Sequence, residues 1–292
     1  MKLRIAVLPG DGIGPEVIDH AVAVLPGSAE ITVVDAGAER YLASGRLLTQ
    51  EDLEVIRSSD GLLFGAIGDP RVPDGILERD ILLRLRKELD LYVNLRPFPG
   101  LDLVFVRENT EGPYSGEGTR VGDVAREVNV NTRPAIKRCV RFAFELASRR
   151  DRNRVTLVHK ANVLVHAGGL WREVTNEVAR EFPGVELCYE HADAAAYHLV
   201  TNPERFDVVV TDNLFGDLLS DLAAGLSGGL GGAASANIHP DPRTRPSRCI
   251  GLFEPVHGSA PDIAGKGVAD PSGAIGAAHM MLDHLEREAV HT

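Results

Sequence analysis

Short apolar segments rich in β-branched residues alternate along this chain with longer segments of helical periodicity. Short apolar runs are typical of buried strands, whereas apolar positions three and four apart are typical of helices that pack by one face. The alternation predicts an α/β fold with a largely parallel sheet covered by helices. The predicted strands cover 3–8, 31–34, 61–66, 101–106, 155–158, 185–189 and 206–210, and the predicted helices cover 15–25, 78–89, 134–147, 170–182 and 215–226.

Two interruptions divide this pattern. The run GLSGGLGG at 225–232 is a poor helix interior, and RPFPG at 96–100 is expected to break regular structure. Two crossings predict a discontinuous first lobe that contains both chain ends and a second lobe in the middle. We assign 1–97 with 228–292 to the first lobe and 98–227 to the second.

The composition excludes several classes of protein. The chain has 292 residues with 31 Lys and Arg against 42 Asp and Glu, and a net charge of −11 disfavours nucleic-acid binding. No segment approaches the roughly 18 apolar residues of a membrane span. The start, MKLRIAVLPG, is typical of a strand and turn rather than a signal peptide. We therefore expect a soluble, cytoplasmic protein without membrane partners, and three scattered cysteines predict no disulfide framework.

Acidic residues form the first candidate site. Asp217 and Asp221 are four residues apart at the start of a predicted helix, so they share one face, and Asp193 also follows a predicted strand. Hard carboxylate oxygens without a His or Cys partner favour Mg²⁺ or Mn²⁺. The alternative is a solvated first turn stabilised by the helix dipole, and the pair alone does not exclude it.

Basic residues form the second candidate site. Arg86 in a predicted helix, Arg96 in a loop and Arg107 at a strand end could together grip a small dicarboxylate, because guanidinium groups bind carboxylates through two parallel hydrogen bonds. Lys160 follows a predicted strand, where ligands of α/β proteins usually bind, and Tyr114 lies in a turn. Taken singly, each of these could be an ordinary surface side chain.

Two glycine-containing segments bear on cofactor binding. GDGIGPE, at 10–16, joins a strand to a helix but does not fit the pattern of a Rossmann dinucleotide site. EPVHGSAPDIAGKG, at 254–267, offers small residues followed by Asp262, which could accept both ribose hydroxyls and so favours NAD over NADP. The alternative for this segment is a polar surface loop.

These motifs occur in one order and together resemble the β-decarboxylating dehydrogenase family. This family includes isopropylmalate, isocitrate, homoisocitrate and tartrate dehydrogenases. The resemblance extends from residue 1 to about 284 and is greatest to the isopropylmalate branch in its actinobacterial form. Its most specific marks are GDGIGPE, NLRP, VRENTEGPY, HKANVL, TDNLFGDLLSDLA and EPVHGSAPDIAGKG.

The resemblance implies a fold, an assembly and a metal site. The implied fold has two α/β lobes that share a mixed twisted sheet and is not of the Rossmann type. The active site would lie in the cleft and be completed across a homodimer. Asp217 and Asp221 of one subunit would hold Mg²⁺ or Mn²⁺ with Asp193 of the other, which would also supply Lys160.

The resemblance also implies roles for the remaining site residues. Lys160 would take the substrate's hydroxyl proton, and Tyr114 would protonate the carbon left after loss of CO₂. The substrate carboxylates would be bound by Arg86, Arg96 and Arg107. NAD would be bound by His257, Gly258, Ser259, Ala260, Asp262 and Asn162, with Asp270 where many relatives have Asn.

Substrate choice in this family depends on the helix before Arg86. Leu82 and Leu83 stand where isocitrate enzymes carry polar residues, and Val163 would lie near the third substituent, so the resemblance implies an apolar pocket and a 3-alkylmalate substrate. Tartrate, malate and homoisocitrate remain alternatives, since Arg84 could turn inward and bind a distal carboxylate. A non-catalytic regulatory paralogue is the alternative from another class.

Two departures from the family pattern affect this expectation. Between NLRP and VRE the family normally carries a stretch about as long as a helix plus a strand, and this chain has only a short segment around PFPG. The chain also stops soon after His284, where relatives continue. We expect a specialised paralogue that covers the exposed apolar surface by dimerisation, or a compromised copy. The presence of every matched chemical residue argues against loss of activity.

Overall fold

The computed structural model describes residues 2–291, and for residues 290 and 291 it describes only the backbone. Two compact units account for the chain. One unit comprises Met1–Leu91 and Gly229–Thr292, and the other comprises Tyr92–Gly228. Strands and helices alternate in both, so the predicted α/β class is confirmed.

The bounds of the elements follow the predicted pattern with additions. Strands β1 to β12 are Arg4–Gly10, Glu30–Val33, Gly61–Ala66, Val93–Phe98, Leu103–Glu108, Gly118–Val121, Val124–Glu127, Arg154–His159, Glu186–His191, Val208–Thr211, Ala234–Ile238 and Gly251–Pro255. Helices α1 to α9 are Gly14–Ala23, Ala38–Ser44, Gln50–Ser58, Arg84–Glu88, Arg133–Ala147, Val165–Ala179, Ala192–Thr201, Asn213–Leu226 and Ser272–His291. A π-helical turn, Glu78–Leu83, precedes α4.

The first unit is built on the strand order β2-β1-β3-β12-β11. The β1, β2, β3 and β12 strands pair in parallel, and β11 pairs antiparallel with β12. Apolar side chains such as Leu8, Leu62, Phe64 and Leu252 are fully buried in its core. Within residues 2–291 no helix combines the length and apolar character that a bilayer crossing needs.

The second unit has the strand order β4-β5-β10-β8-β9. The β5, β10, β8 and β9 strands are parallel, so their carboxyl ends, which carry Arg107, Thr211, His159 and His191, meet at one edge. Two of the candidate site residues of this unit follow these strand ends, since Lys160 comes directly after β8 and Asp193 comes two residues after β9. Outside the sheet, β6 and β7 form an exposed two-stranded ribbon.

The break in regular structure expected at 96–100 is wrong for 96–98 and is observed only from Pro99 onward. Residues Val93–Phe98 form β4, and only Pro99–Leu101 form a 3₁₀ turn before β5. Proline keeps an extended backbone, and it costs a strand only where its missing N–H would have bonded. Arg96, predicted to lie in a loop, is therefore on a strand, and Arg107 lies within β5 rather than after it.

Candidate active site

Two buried arginines face helix α8 from the β4–β5 hairpin. Asn94 pairs directly with Arg107 across this hairpin, and Arg96 lies two residues beyond Asn94, so both guanidinium groups leave the same face. Arg96 is 5% exposed and Arg107 is 1% exposed. Buried arginines require anionic or carbonyl partners, and α8 provides them.

The two acids of α8 bind these arginines directly. Arg96 Nη1 donates to Asp221 Oδ1 at 2.7 Å, and its Nη2 donates to Asp217 Oδ1 at 3.3 Å. Arg107 Nη1 also donates to Asp217 Oδ1. The i and i+4 spacing of the acids thus orients both carboxylates toward the hairpin, as the sequence predicts for one helix face.

The surroundings shift the pKa values of Asp217 and Asp221 in opposite directions. Burial raises the pKa of Asp217, but the charges of Arg107 and Arg96 outweigh it and hold that pKa below its usual value. For Asp221, burial and the charge of Asp217 prevail over Arg96 and raise the pKa. The site therefore combines a carboxylate that stays ionised with one that takes up a proton more readily.

Tyr114 belongs to the same network. It lies in a 3₁₀ turn, Gly112–Ser115, and its hydroxyl donates to Asp217 Oδ2 at 2.7 Å. The guanidinium of Arg107 lies 5.0 Å from the centre of its ring, within cation–π range. The Tyr114 hydroxyl, which can give up a proton, is thus held beside Arg107 and Asp217.

Asn213 holds this network together, and the sequence reasoning missed it. Its Oδ1 accepts from Arg107 Nε at 2.9 Å and from Nη2 at 2.7 Å, and its Nδ2 donates to the Glu111 carbonyl at 3.0 Å. It therefore ties Arg107 to the loop that carries Tyr114. Its place as the first residue of α8 after a buried strand was the available signal.

Gly216 allows α8 to approach Arg107 closely. A Cβ at this position would lie 2.7 Å from Arg107 Cγ, and Arg107 cannot yield because Asn213 and Asp217 fix its guanidinium. Because Arg107 is a predicted substrate ligand, we expect Gly216→Ala to lower kcat/KM by about 10- to 100-fold, the size of effect that follows when such a ligand is displaced by about 1 Å. Steady-state kinetics would measure the change.

Gly225 provides the matched control on the same helix. A Cβ there would meet no described atom within 4 Å. Gly225→Ala should keep full activity and gain about 0.5–1 kcal/mol of stability from helix propensity. Equal activity of the two variants would show that the approach of α8 to Arg107 is not needed.

Lys160 and Asp193 form a separate ion pair. Lys160 follows β8, Asp193 lies in the first turn of α7, and Lys160 Nζ is 2.6 Å from Asp193 Oδ1. This hydrogen bond lowers the pKa of Asp193. Across residues 2–291, no three His, Cys, Asp or Glu side chains converge as metal ligands, so Asp193 does not join Asp217 and Asp221 within one chain.

Arg86 lies in the first unit, where a buried acid binds it. Its Nη2 is 3.3 Å from Glu254 Oε1, and their side chains are 5% and 10% exposed. Asn237 Nδ2 also donates to this oxygen at 2.8 Å. Arg86 is therefore held in the first unit, and Arg96 and Arg107 in the second.

The predicted side-pocket residues differ in burial. Leu82 and Leu83 are half-buried, and Leu82 packs against the core of the first unit. Asn162 and Val163 are exposed in the second unit, Val163 by 65%.

The predicted cofactor loop is fixed by the GDG turn. The Ser259 carbonyl accepts from Ile13 N at 2.8 Å, and a Cβ at Gly12 would lie 1.9 Å from that oxygen. Ala260 has a φ of 38°, a left-handed conformation, which turns the loop outward. Gly258, Asp262 and Asp270 are exposed, and Asp270 caps α9 by accepting from Ser272 N at 2.9 Å.

The residues present fit the two groups that the sequence predicts. Asp217 and Asp221 supply hard oxygen ligands without thiolate or imidazole, which suits Mg²⁺ or Mn²⁺. In the predicted cofactor loop, His257 Nε2 is buried and has no hydrogen-bond partner among the described residues, as expected of a group that binds a ligand.

Comparison with known proteins gives one consistent result. The family model described as isocitrate/isopropylmalate dehydrogenase matches residues 4–291. The 3-isopropylmalate dehydrogenase of Corynebacterium efficiens is 55% identical over 98% of this chain and 89% of its own length. That of Mycobacterium ulcerans is 52% identical over 97% and 89%. The resemblance read from the motifs is confirmed.

Solved structures agree on the fold. The isocitrate dehydrogenase of Methylococcus capsulatus superposes with a TM-score of 0.86 and 42% identity, covering 97% of this chain and 86% of that one. The apo form of a beta-decarboxylating dehydrogenase from Thermococcus kodakarensis gives 0.80 and 46%, covering 97% and 84%. The alignment with the C. efficiens protein has 309 positions against 292 residues here, so that relative carries internal residues which this chain lacks.

Proposed function

This chain belongs to the isocitrate/isopropylmalate dehydrogenase family, and from that premise we propose that it oxidatively decarboxylates a 3-alkylmalate in the cytoplasm. NAD would accept the hydride, and Mg²⁺ or Mn²⁺ would be the divalent ion. The products would be a 2-oxo acid, CO₂ and NADH. The main support is the single network formed by Arg96, Arg107, Tyr114, Asp217 and Asp221.

Substrate binding follows from the two buried guanidinium groups. Arg96 and Arg107 are oriented by Asn94 and Asn213 and point at one small region beside α8. A dicarboxylate arriving there would replace the acids of α8 as their partner, and paired N–H donors would fix its orientation.

The site residues can also move the two protons that the reaction needs. Lys160 would take the proton from the substrate hydroxyl as the carbon loses hydride. Tyr114 would give a proton to the carbon that loses CO₂, and Asp217 holds its hydroxyl in place. When bound, the divalent ion would supply Lewis-acid chemistry toward the substrate oxygens.

An alkyl rather than a polar substituent is favoured by the position of Arg84. Arg84 Nη1 donates to the Leu48 carbonyl at 2.8 Å, and its Nε is 3.8 Å from Glu88. In this conformation Arg84 is engaged by the Leu48 carbonyl and by its own helix, so binding a distal carboxylate would first require this side chain to leave both partners. Leu82 and Leu83 leave an apolar lining in its place.

A homodimer with shared sites is supported by exposed apolar side chains beside the separated site residues. Val163 follows the Lys160 turn, Tyr197 lies one turn after Asp193 on α7, and Leu218 follows Asp217 on α8. These three are 65%, 64% and 61% exposed. Exposed apolar side chains beside site residues are the kind of surface that a second copy could bury. A second copy would cover them and bring Asp193 to the other chain's acids.

A substrate panel tests the proposal. NADH formation with Mg²⁺ should be at least about tenfold more efficient on 3-alkylmalates than on malate, tartrate or homoisocitrate. Malate lacks the alkyl group that would fill an apolar pocket, and the polar substituents of the other two lose hydrogen bonds there. Light scattering on the same sample should give a dimer. Preference for a polar diacid would favour the alternative substrates, and a folded dimer inactive on every diacid would favour a regulatory role.

A further inference from the structure

The turn that carries Lys160 is clamped by one hydroxyl. Tyr189 lies on β9, next to β8, and its hydroxyl donates to the His159 carbonyl at 3.1 Å. The amide N–H of Ala161 donates to the same hydroxyl oxygen at 3.2 Å. The two contacts bind the backbone on both sides of Lys160. We propose that Tyr189 is a positioning residue for Lys160, an inference that rests on the proposed function.

The proton and the two lone pairs of the Tyr189 hydroxyl can each be assigned to one neighbouring group. Its single proton goes to the His159 carbonyl, and one lone pair accepts from Ala161. His191 Nδ1 lies 3.0 Å from the hydroxyl, and in the tautomer with the proton on Nδ1 it donates to the second lone pair. The cation–π contact of Arg172, 5.1 Å from the ring centre, holds the aromatic ring itself. The hydroxyl is thus fully used in holding the turn.

The opposite side of the turn is also held tightly. His159 is fully buried, with its ring 6.1 Å from that of Trp171 and 5.5 Å from that of Phe215. Helix α6 comes so close at Gly168 that a Cβ there would lie 2.5 Å from Ala161 Cα. The backbone around Lys160 is therefore held both by this packing and by Tyr189, which suits a base that must be placed accurately.

Tyr189→Phe tests the clamp, because it removes the hydroxyl and keeps the ring. We expect kcat to fall at least about tenfold with KM changed less than about twofold, since a misplaced base slows the chemistry without weakening binding. The deuterium isotope effect on kcat, with substrate labelled at the hydroxyl-bearing carbon, should rise because oxidation becomes more rate-limiting. A merely structural role would change neither.

Matched variants accompany this test. Tyr41→Phe makes the same chemical change in a half-buried tyrosine of the first unit and should leave kcat unchanged. Gly168→Ala should lower kcat by displacing the same turn from the other side. Gly169→Ala, where a Cβ meets no described atom within 4 Å, should not.

The outcomes separate this inference from the proposed function. Wild-type kcat and isotope effect in Tyr189→Phe, with Lys160→Ala inactive, would overturn the clamp alone. An active Lys160→Ala would instead refute Lys160 as the base. If Tyr189→Phe does not fold, amide hydrogen exchange of the wild type decides, because slow exchange at Ala161 supports the clamp and exchange at the rate of exposed amides contradicts it.

Discussion

Replacing Lys160 by Ala is expected to lower kcat at least about 10³-fold, because a positioned general base contributes about 10²- to 10⁴-fold. KM for the diacid should change little, since we propose that the arginines, and not Lys160, bind the carboxylates. Folding should be unaffected. The lost pair with Asp193 is screened by solvent, because the Asp193 side chain is 70% exposed, and exposed pairs contribute little to stability. NADH absorbance measures the rate, and circular dichroism measures the stability.

Lys137→Ala is the control for this variant. Lys137 is exposed on α5 in the same unit, so the variant loses an equivalent side chain without touching the site. A Lys160→Ala enzyme within tenfold of wild type would refute the role of this lysine.

Asp217→Asn is expected to have an effect of similar size through a different step. Its two oxygens accept from Arg107, Arg96 and Tyr114, and an amide would turn an N–H toward some of these donors. It would also remove one of two charges available to a divalent ion. We expect kcat/KM to fall at least about 10³-fold, or about 4 kcal/mol of transition-state stabilisation, and the Mg²⁺ needed for half-maximal rate to rise.

Calorimetric titration with Mg²⁺ separates the two proposed roles of Asp217, which are to bind the ion and to hold the arginines and Tyr114. Asp19→Asn, an exposed acid on α1, is the matched control and should bind the ion and turn over normally. If Asp217→Asn bound Mg²⁺ as the wild type does, the carboxylate would serve only to hold the arginines and Tyr114.

The fold was more predictable from the sequence than the site. Buried parallel strands produce uninterrupted apolar runs, and β3 lies where it was predicted. The β4 strand was missed because Pro97 is a strong local signal for a break, and only its pairing with β5 overrides that signal. The lobe boundaries and the site residues stay predictions.

Within the site, residue types on one helix face could be predicted and hydrogen-bond partners could not. The spacing of Asp217 and Asp221 follows from helical periodicity alone. The role of Asn213 depends on the Arg107 side chain, 106 residues away along the chain, and that of Tyr189 on the His159 carbonyl, 30 residues away. No local pattern encodes such contacts. The sequence shows that the connection after Arg96 is short. It does not show that this connection makes a hairpin.

That hairpin has a consequence for the order of events during folding. Arg96 and Arg107 are joined by the short turn Pro99–Leu101, so bringing them together requires only a small loop to close. Hairpins form in about 1–10 μs, far sooner than contacts between distant segments of a chain this long. The two cationic side chains would then be in place before α8 arrives, and the nascent positive surface would guide that helix by attraction to its acids.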